Sequence, residues 1–294
     1  MSGIKSNGTQ PMPPPGERMA ASEGKSDVEK NLQVVENMAR IKHKIVVMSG
    51  KGGVGKSTVA VNIALALASK GRKVGVMDVD IHGPDVAKLL GVEDAKLQTT
   101  GEMIIPVKVR ENLSAISMAF LLESRDTPII WRGPLKMGAI KQFLGEVAWG
   151  DLDYLVIDLP PGTGDEPLSV AQLIPEGAWA VVVTTPQDLA LLDSRKAIRF
   201  AEVLKMKVAG VVENMSGLKC PHCGETIDLF KSGGGEAAAR ELGVNFLGRI
   251  PIDPEVVNTG DAGAAYILDS PDAPAPKALF EIVNRLEERV GHNG

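Results

Sequence analysis

The run Gly50-Lys51-Gly52-Gly53-Val54-Gly55-Lys56-Ser57 restricts this chain more than any other part of it. It fits the spacing Gly-x-x-x-x-Gly-Lys-Ser, the Walker A pattern. It also stands in the required place, between the apolar run Lys44–Met48 and an Ala-rich stretch that begins at Ser57. Glycines in such a turn let the backbone curl until successive N–H groups face one anion, and the helix N-terminus adds partial positive charge at the same point. The pattern predicts a nucleotide site in which Lys56 reaches the β- and γ-phosphates, the Ser57 hydroxyl ligates Mg²⁺ and Thr58 contacts the α-phosphate.

The rest of the chain repeats the strand-then-helix order. Near-continuously apolar runs at Ile45–Ser49, Val74–Val79, Tyr154–Asp158, Ala180–Thr184, Val208–Asn214 and Asn245–Ile250 predict buried strands. Helical stretches lie among them at Ser57–Ser69, Leu135–Phe143, Leu189–Leu204 and Gly235–Leu242. The expected fold is α/β, a doubly wound and mostly parallel sheet with helices on both faces. Aromatic residues make up only 4% of the chain, so Val, Ile, Leu, Ala and Met must build the core, which suits that architecture. Residues 101–119 alternate polar and apolar, which predicts an antiparallel hairpin at one edge.

Residues 1–25 are rich in Pro, Gly, Ser and Lys and predict a disordered tail, leaving residues 26–294 as a single P-loop NTPase domain. That domain opens with a helix over roughly 26–39, signalled by the capping box Ser26…Glu29 and by Val28, Leu32, Val35 and Met38 at helical spacing. At the other end Leu279, Ile282, Val283, Leu286 and Val290 share one helical face, and mixed charges fit a helix packed on the domain rather than one lying on a membrane.

A net charge of −5 argues against a nucleic-acid backbone as the main partner. No run approaches about 18 uninterrupted apolar residues, and no signal-peptide pattern opens the chain, so the expected location is cytoplasmic, with no membrane partner. In a reducing compartment the two cysteines, Cys220 and Cys223, read as metal-binding or redox-active rather than as a structural disulfide.

A Mg-nucleotide site also needs carboxylates opposite the phosphates. Asp158 closes one apolar run, as a Walker B Asp does, and Asp78 and Asp80 close another. Alternation along a strand predicts that Asp78 and Asp80 share a face and both approach the phosphates.

Lys51 is not part of the general Walker pattern. With it, Gly-Lys-Gly-Gly-Val-Gly-Lys-Ser resembles the deviant Walker A of the dinitrogenase-reductase, septum-site and partition ATPases. The resemblance implies that Lys51 reaches across a homodimer to the partner's nucleotide, that Asp80 orients the hydrolytic water, and that Asp158 holds Mg²⁺ through water. It further implies that Asp158–Asp165 is a switch segment sensing the γ-phosphate and that Asn214 contacts adenine.

Cys220-Pro221-His222-Cys223-Gly224 gives two thiolates able to hold one metal or cluster face, and Gly224 leaves room for the backbone to bend. Two thiolates do not complete a four-cysteine site, but a symmetric dimer supplies four. Together with Asp-Val-Asp-Ile-His-Gly-Pro (78–84), Trp-Arg-Gly-Pro (131–134), Asp-Leu-Pro-Pro-Gly-Thr-Gly-Asp (158–165) and Glu-Asn-Met-Ser (213–216), this motif is similar to the Mrp/ApbC branch of the group, from about Ile41 onward. That resemblance implies a slow, regulatory ATPase that carries a [4Fe–4S] cluster between two subunits and passes it to apo-proteins. Two other readings stay open at this point: a positioning ATPase of the septum-site or partition type, and a dimer bridged by zinc. His82 is expected to pack or hydrogen-bond near the switch, His222 to face solvent between the cysteines, and Arg132 to meet a phosphate, the partner subunit or a surface ion pair.

Overall fold

The computed structural model describes residues 9–13, 26–121, 133–219, 223, 225–230 and 232–291. In chain order the elements are β1 (Gln10–Pro11), α1 (Asp27–Ala39), β2 (Ile41–Met48), α2 (Lys56–Ser69), β3 (Val74–Asp78), α3 (Val86–Leu89), β4 (Gln98–Thr100), β5 (Met103–Ile105), β6 (Val107–Arg110) and β7 (Leu113–Ser117). There follow α4 (Gly133–Gly145), β8 (Leu152–Asp158), α5 (Asp165–Ala171), β9 (Trp179–Thr184), α6 (Asp188–Val203), β10 (Lys207–Glu213), β11 (Leu218–Lys219) and β12 (Thr226–Ile227). The last are α7 (Gly234–Glu241), β13 (Phe246–Arg249), α8 (Pro254–Asp261), α9 (Tyr266–Asp269) and α10 (Pro274–Gly291).

One sheet of eight strands carries the fold, in the order β13-β10-β9-β2-β8-β3-β7-β6. All neighbours in it are parallel except β6, which runs antiparallel to β7 at the edge. Side chains leave each strand alternately, so β2 sends Val46 and Met48 into one apolar layer and Ile45 and Val47 into the other. The first layer is closed by α1, α4, α5 and α6, the second by α2, α9 and α10. Covering both faces is what allows strands without polar alternation. Helix α2 lies so deep that Val59, Ala60, Ile63, Ala64, Ala66 and Leu67 are all nearly inaccessible.

This arrangement corrects one expectation and sharpens two. Residues 101–119 hold the expected antiparallel hairpin at one edge, formed by β6 and β7. It is narrower than that range, since β5 pairs with β4 in a small separate sheet, and β7 also lies parallel to β3 as a buried strand. The alternation Leu113-Ser114-Ala115-Ile116-Ser117 does not mark exposure there, because small serines are tolerated inside a covered sheet. Next, Gln10 and Pro11, within the segment expected to lack structure, pair with Thr99 and Gln98. Proline is accommodated because β1 is an edge strand.

Helix α1 is found where its capping box and spacing place it. Its capping box is present, with Ser26 N donating to Glu29 Oε2 at 2.7 Å and Glu29 N donating to Ser26 Oγ at 3.3 Å. Its buried face, however, is Val34, Asn37 and Met38, and Val28, Leu32 and Val35 are exposed. The Asn37 amide sets that rotation by donating to Leu144 O and Val147 O at 2.8 and 2.9 Å. A buried amide with two such bonds outweighs three partly solvated apolar side chains.

Candidate nucleotide site and cysteine segment

The loop after β2 leaves the sheet at its centre, where β2 lies between β8 and β9. Gly53 and Gly55 adopt left-handed φ values of 77° and 79°, which only glycine takes at little cost, and α2 begins directly at Lys56. An open cleft of about 540 Å³ lies over the loop, lined among others by Lys51, Lys56, Ser57, Thr58, Asp80 and Pro161. A more apolar pocket of about 190 Å³ adjoins it and includes Thr58, Asn214, Met215, Phe230, Pro251 and Val256. The two share Gly55, Thr58 and Met215. Phosphates and a flat apolar base therefore have neighbouring places of suitable character.

Lys56 is buried, and its Nζ lies 2.6 Å from Asp158 Oδ1, 3.2 Å from Ser57 Oγ and 3.9 Å from Asp80 Oδ2. Asp158 Oδ2 is buried and has no hydrogen-bond partner among the described residues. Beside the Ser57 hydroxyl, this unpaired carboxylate oxygen fits a hydrated Mg²⁺, which takes only oxygen ligands. Burial pushes the Asp158 carboxyl above its ordinary range, and Lys56 pulls it back. Burial raises Asp80 as well, again opposed by Lys56.

Asp78 does not do what alternation predicts. Strand β3 ends at Asp78, so the strand period no longer applies at Asp80. Asp80 lines the cleft, its Oδ1 accepting from His82 N and Gly83 N at 3.2 Å each. Asp78 is fully buried and turned inward, accepting from Ser117 Oγ at 2.7 Å and from Asp80 N at 3.1 Å. It stands opposite Asp158 in register. Burial first and the neighbouring Asp158 second push the Asp78 carboxyl well above the usual carboxylate range. A carboxyl that ionises less readily folded than unfolded favours the fold at low pH, and that contribution is lost as pH rises through the elevated folded pKa. Asp78→Asn is therefore expected to flatten the fall in stability above the ordinary carboxylate range. The variant should gain on wild type as pH rises from the ordinary carboxylate range toward pH 8. Urea unfolding at a series of pH values measures it, and a curve parallel to wild type would contradict it.

The segment Asp158–Asp165, expected from the resemblance to be a switch, is tied to the start of the phosphate loop, since Gly162 N donates to Ser49 O at 2.9 Å. His82 lies at the mouth of this region, with Nε2 3.3 Å from Glu166 Oε2 and 3.1 Å from Lys136 Nζ, in line with the hydrogen-bonding role expected of it. Asn214 lines the apolar pocket, but its amide donates to Val54 O at 2.9 Å, so it also braces the phosphate loop. A Cβ on Gly55 would lie 2.3 Å from that amide.

Of the two cysteines, Cys223 is exposed with a free thiol. Cys220, His222 and Arg132 lie outside the described residues. The segment that carries the cysteines leaves β10 immediately after Asn214 and is narrowed by the β11–β12 ladder, in which Leu218 pairs with Ile227 and Lys219 with Thr226. Sequence reasoning gave no role to Glu213, which is fully buried at the end of β10 and accepts from Ser216 Oγ, Gly233 N and Arg249 Nε at 2.6, 3.0 and 3.2 Å. Its place at the head of the motif Glu-Asn-Met-Ser (213–216), directly before Asn214, was the available signal.

Comparison with known proteins agrees with this geometry. The family described as NUBPL iron-transfer P-loop NTPase, of the ParA group, matches residues 40–287. An iron-sulfur cluster carrier protein of Methanocaldococcus jannaschii is 49% identical over 262 residues, spanning 89% of this chain and 90% of the relative. One of Saccharolobus solfataricus is 48% identical over 263 residues, spanning 90% and 89%. Among solved structures, a nucleotide-binding protein of Archaeoglobus fulgidus in complex with ADP is 41% identical, with a TM-score of 0.74 over 85% of this chain and 96% of that one. The cell division ATPase MinD of Pyrococcus furiosus shares the fold alone, at 24% identity and a TM-score of 0.59 over 84% and 99%. Because the match runs from the edge of β2 into α10 and relatives near half identical span about nine-tenths of its length, the chain belongs to the iron–sulfur cluster carrier family of P-loop NTPases.

Proposed function

We propose that this chain is a homodimeric ATPase that holds a [4Fe–4S] cluster on Cys220 and Cys223 of two subunits and passes it to apo-proteins. The observation that carries this reading is the junction at the end of β10. There Asn214 touches the phosphate loop, and the cysteine segment begins with the residues that follow. Thiolate ligands, of which Cys223 is exposed, suit a cargo that must be handed over, because release needs only exchange of thiolate ligands with the recipient's own cysteines. The partners are a second copy of this chain and apo iron–sulfur proteins, not nucleic acid. No described helix is long and apolar enough to cross a membrane.

ATP is bound by the N–H groups of Gly50–Ser57 and by Thr58, with Asn214 beside the base. Lys56 then exchanges Asp158 for phosphate oxygens. Asp158 and Ser57 would hold Mg²⁺, which when bound neutralises charge on the transferring phosphoryl group. Asp80 orients the attacking water, whose oxygen bonds to the γ-phosphorus as the bond to ADP's terminal oxygen breaks. Lys51 reaches the partner's nucleotide, so hydrolysis follows dimer geometry, and the switch segment senses the γ-phosphate through its tie to Ser49. Hydrolysis of this kind is slow and gates cluster loading or release.

Anaerobic reconstitution with iron and sulfide tests the reading. Wild type is expected to acquire the broad visible absorption of iron–thiolate charge transfer, with iron and sulfide in equal amounts, and Cys220→Ala and Cys223→Ala are each expected to lose it. A wild-type protein that stays colourless and retains zinc would refute the carrier reading.

A further inference from the structure

Glu213 and Asn214 are consecutive, yet they grip different parts of the molecule. The Asn214 side chain holds Val54 O of the phosphate loop, and its backbone N–H donates to Thr184 O at 2.7 Å, anchoring it to β9. The Glu213 carboxylate holds both ends of the cysteine segment. Ser216, on the way out, donates its hydroxyl, and the N–H groups of Gly233 and Gly235, on the way back, converge on the same carboxylate. Arg249 of β13 completes the set. Met215, next in line, takes a left-handed φ of 57° and lines both the phosphate cleft and the apolar pocket.

Burial of a carboxylate this deep is tolerable only with its hydrogen bonds made. Charge-assisted bonds to donors on both sides hold the two ends of the cysteine segment to one rigid point. That point is one peptide bond from the residue that touches the phosphate loop. A shift of Val54 and Gly55 as the loop closes on phosphate must move Asn214 or break its bond. Movement of Asn214 carries Glu213, and with it both ends of the segment.

We propose that Glu213 and Asn214 are positioning residues that link occupancy of the phosphate loop to placement of the cysteine segment. The segment Asp158–Asp165, which the resemblance makes the sensor of the γ-phosphate, bonds instead to Ser49 at the other end of the loop. The inference rests on the proposed cysteine site but not on which metal that site holds. Linkage is reciprocal, so anything bound at the cysteines alters nucleotide affinity by the same factor.

The test is alkylation of Cys220 and Cys223 by iodoacetamide in the reduced, metal-free full chain, with and without saturating Mg–ADP, resolved by mass spectrometry. In wild type, nucleotide is expected to change the rates about 5-fold, the low end of ordinary coupling. In Glu213→Gln, at saturating nucleotide, the change is expected to fall below about 2-fold. An unaltered nucleotide effect in Glu213→Gln, or none in wild type, overturns the proposal. Should Glu213→Gln lose its circular dichroism signature, Ser216→Ala and Ser216→Thr decide. The alanine variant is expected to lose at least about half of the effect, and the threonine variant, which keeps a hydroxyl, to restore it. Equal loss in both, or in neither, overturns the proposal. Failure of the carrier reading looks different: wild type takes up no iron and sulfide while its thiols still respond to nucleotide.

Discussion

Lys56→Ala is expected to destabilise the nucleotide-free protein by about 3–5 kcal/mol near neutral pH, in addition to abolishing ATP binding. The usual account of this lysine considers only phosphate. In this structure Lys56 is also the cation bonded to Asp158, which is wholly buried, and the nearest cation to Asp80. Removing one partner of a buried pair leaves the other charge without compensation, which costs far more than the net worth of the pair. The sign of the pH dependence follows. Burial already raises the Asp158 carboxyl, and Lys56 is the main opposing influence, so the variant's carboxyl ionises only at still higher pH. Between the ordinary carboxylate range and that raised value the folded variant binds a proton that the unfolded chain does not, so its stability falls as pH rises. The deficit against wild type is therefore expected to be larger at pH 8 than at pH 5 in urea unfolding. Asp158→Asn placed on top of Lys56→Ala should recover half or more of the loss, a coupling visible only in the double-mutant cycle. A deficit below about 1 kcal/mol that ignores pH would show that water already screens the pair, as it does at surfaces.

This dual role also marks where the sequence was legible. The loop Gly50–Ser57 declares its chemistry because every residue type in it answers a local demand, and the strand before it and helix after it are read from contiguous residues. The parallel strands were readable for the same reason: a segment covered on both faces has no polar position to obscure it. Legibility failed wherever a residue's role depends on partners distant in the chain. Asp78 and Asp80 look equivalent in the string, but the end of β3 and the hydroxyl of Ser117 separate them. Val28, Leu32 and Val35 mark a helix by their spacing but do not tell which face is buried, because Asn37 bonds two carbonyls more than a hundred residues away. The role of Glu213, though it heads the motif 213–216, was not legible, because a lone glutamate at a strand end ordinarily meets water, and its donors come from Ser216, Gly233 and Arg249. The serines of β7 give it the alternation of a half-exposed strand, whereas Ser117 is buried and committed to Asp78.

Gly50→Ala is expected to be nearly as damaging as loss of Lys56, and for a reason unrelated to phosphate. A Cβ at Gly50 would lie 2.1 Å from Asp193 O and 2.3 Å from Asp193 C, backbone atoms of α6 that no rotamer change can move. Either α6 must shift from the sheet or the phosphate loop must lift. Overpacking of a rigid site typically costs about 1–3 kcal/mol, and at Gly50 about 3 kcal/mol or more is expected because both partners are backbone. The other glycines of the loop give a graded control. At Gly53 there is open space but φ is +77°, so alanine should cost about 1 kcal/mol through backbone strain alone. At Gly55 strain adds to the encounter with Asn214 Nδ2, so alanine there combines both penalties. Gly52 meets nothing nearer than Pro161 at 3.9 Å, and alanine is expected to leave stability within about 0.5 kcal/mol of wild type. Thermal unfolding without nucleotide should therefore rank the variants Gly50→Ala and Gly55→Ala as worst, then Gly53→Ala, then Gly52→Ala. A different ranking for ADP affinity than for stability would identify which N–H groups the phosphates approach. Equal stability across all four would show that the loop moves freely over α6, and the close approach of Asp193 would then no longer explain why the pattern opens on glycine.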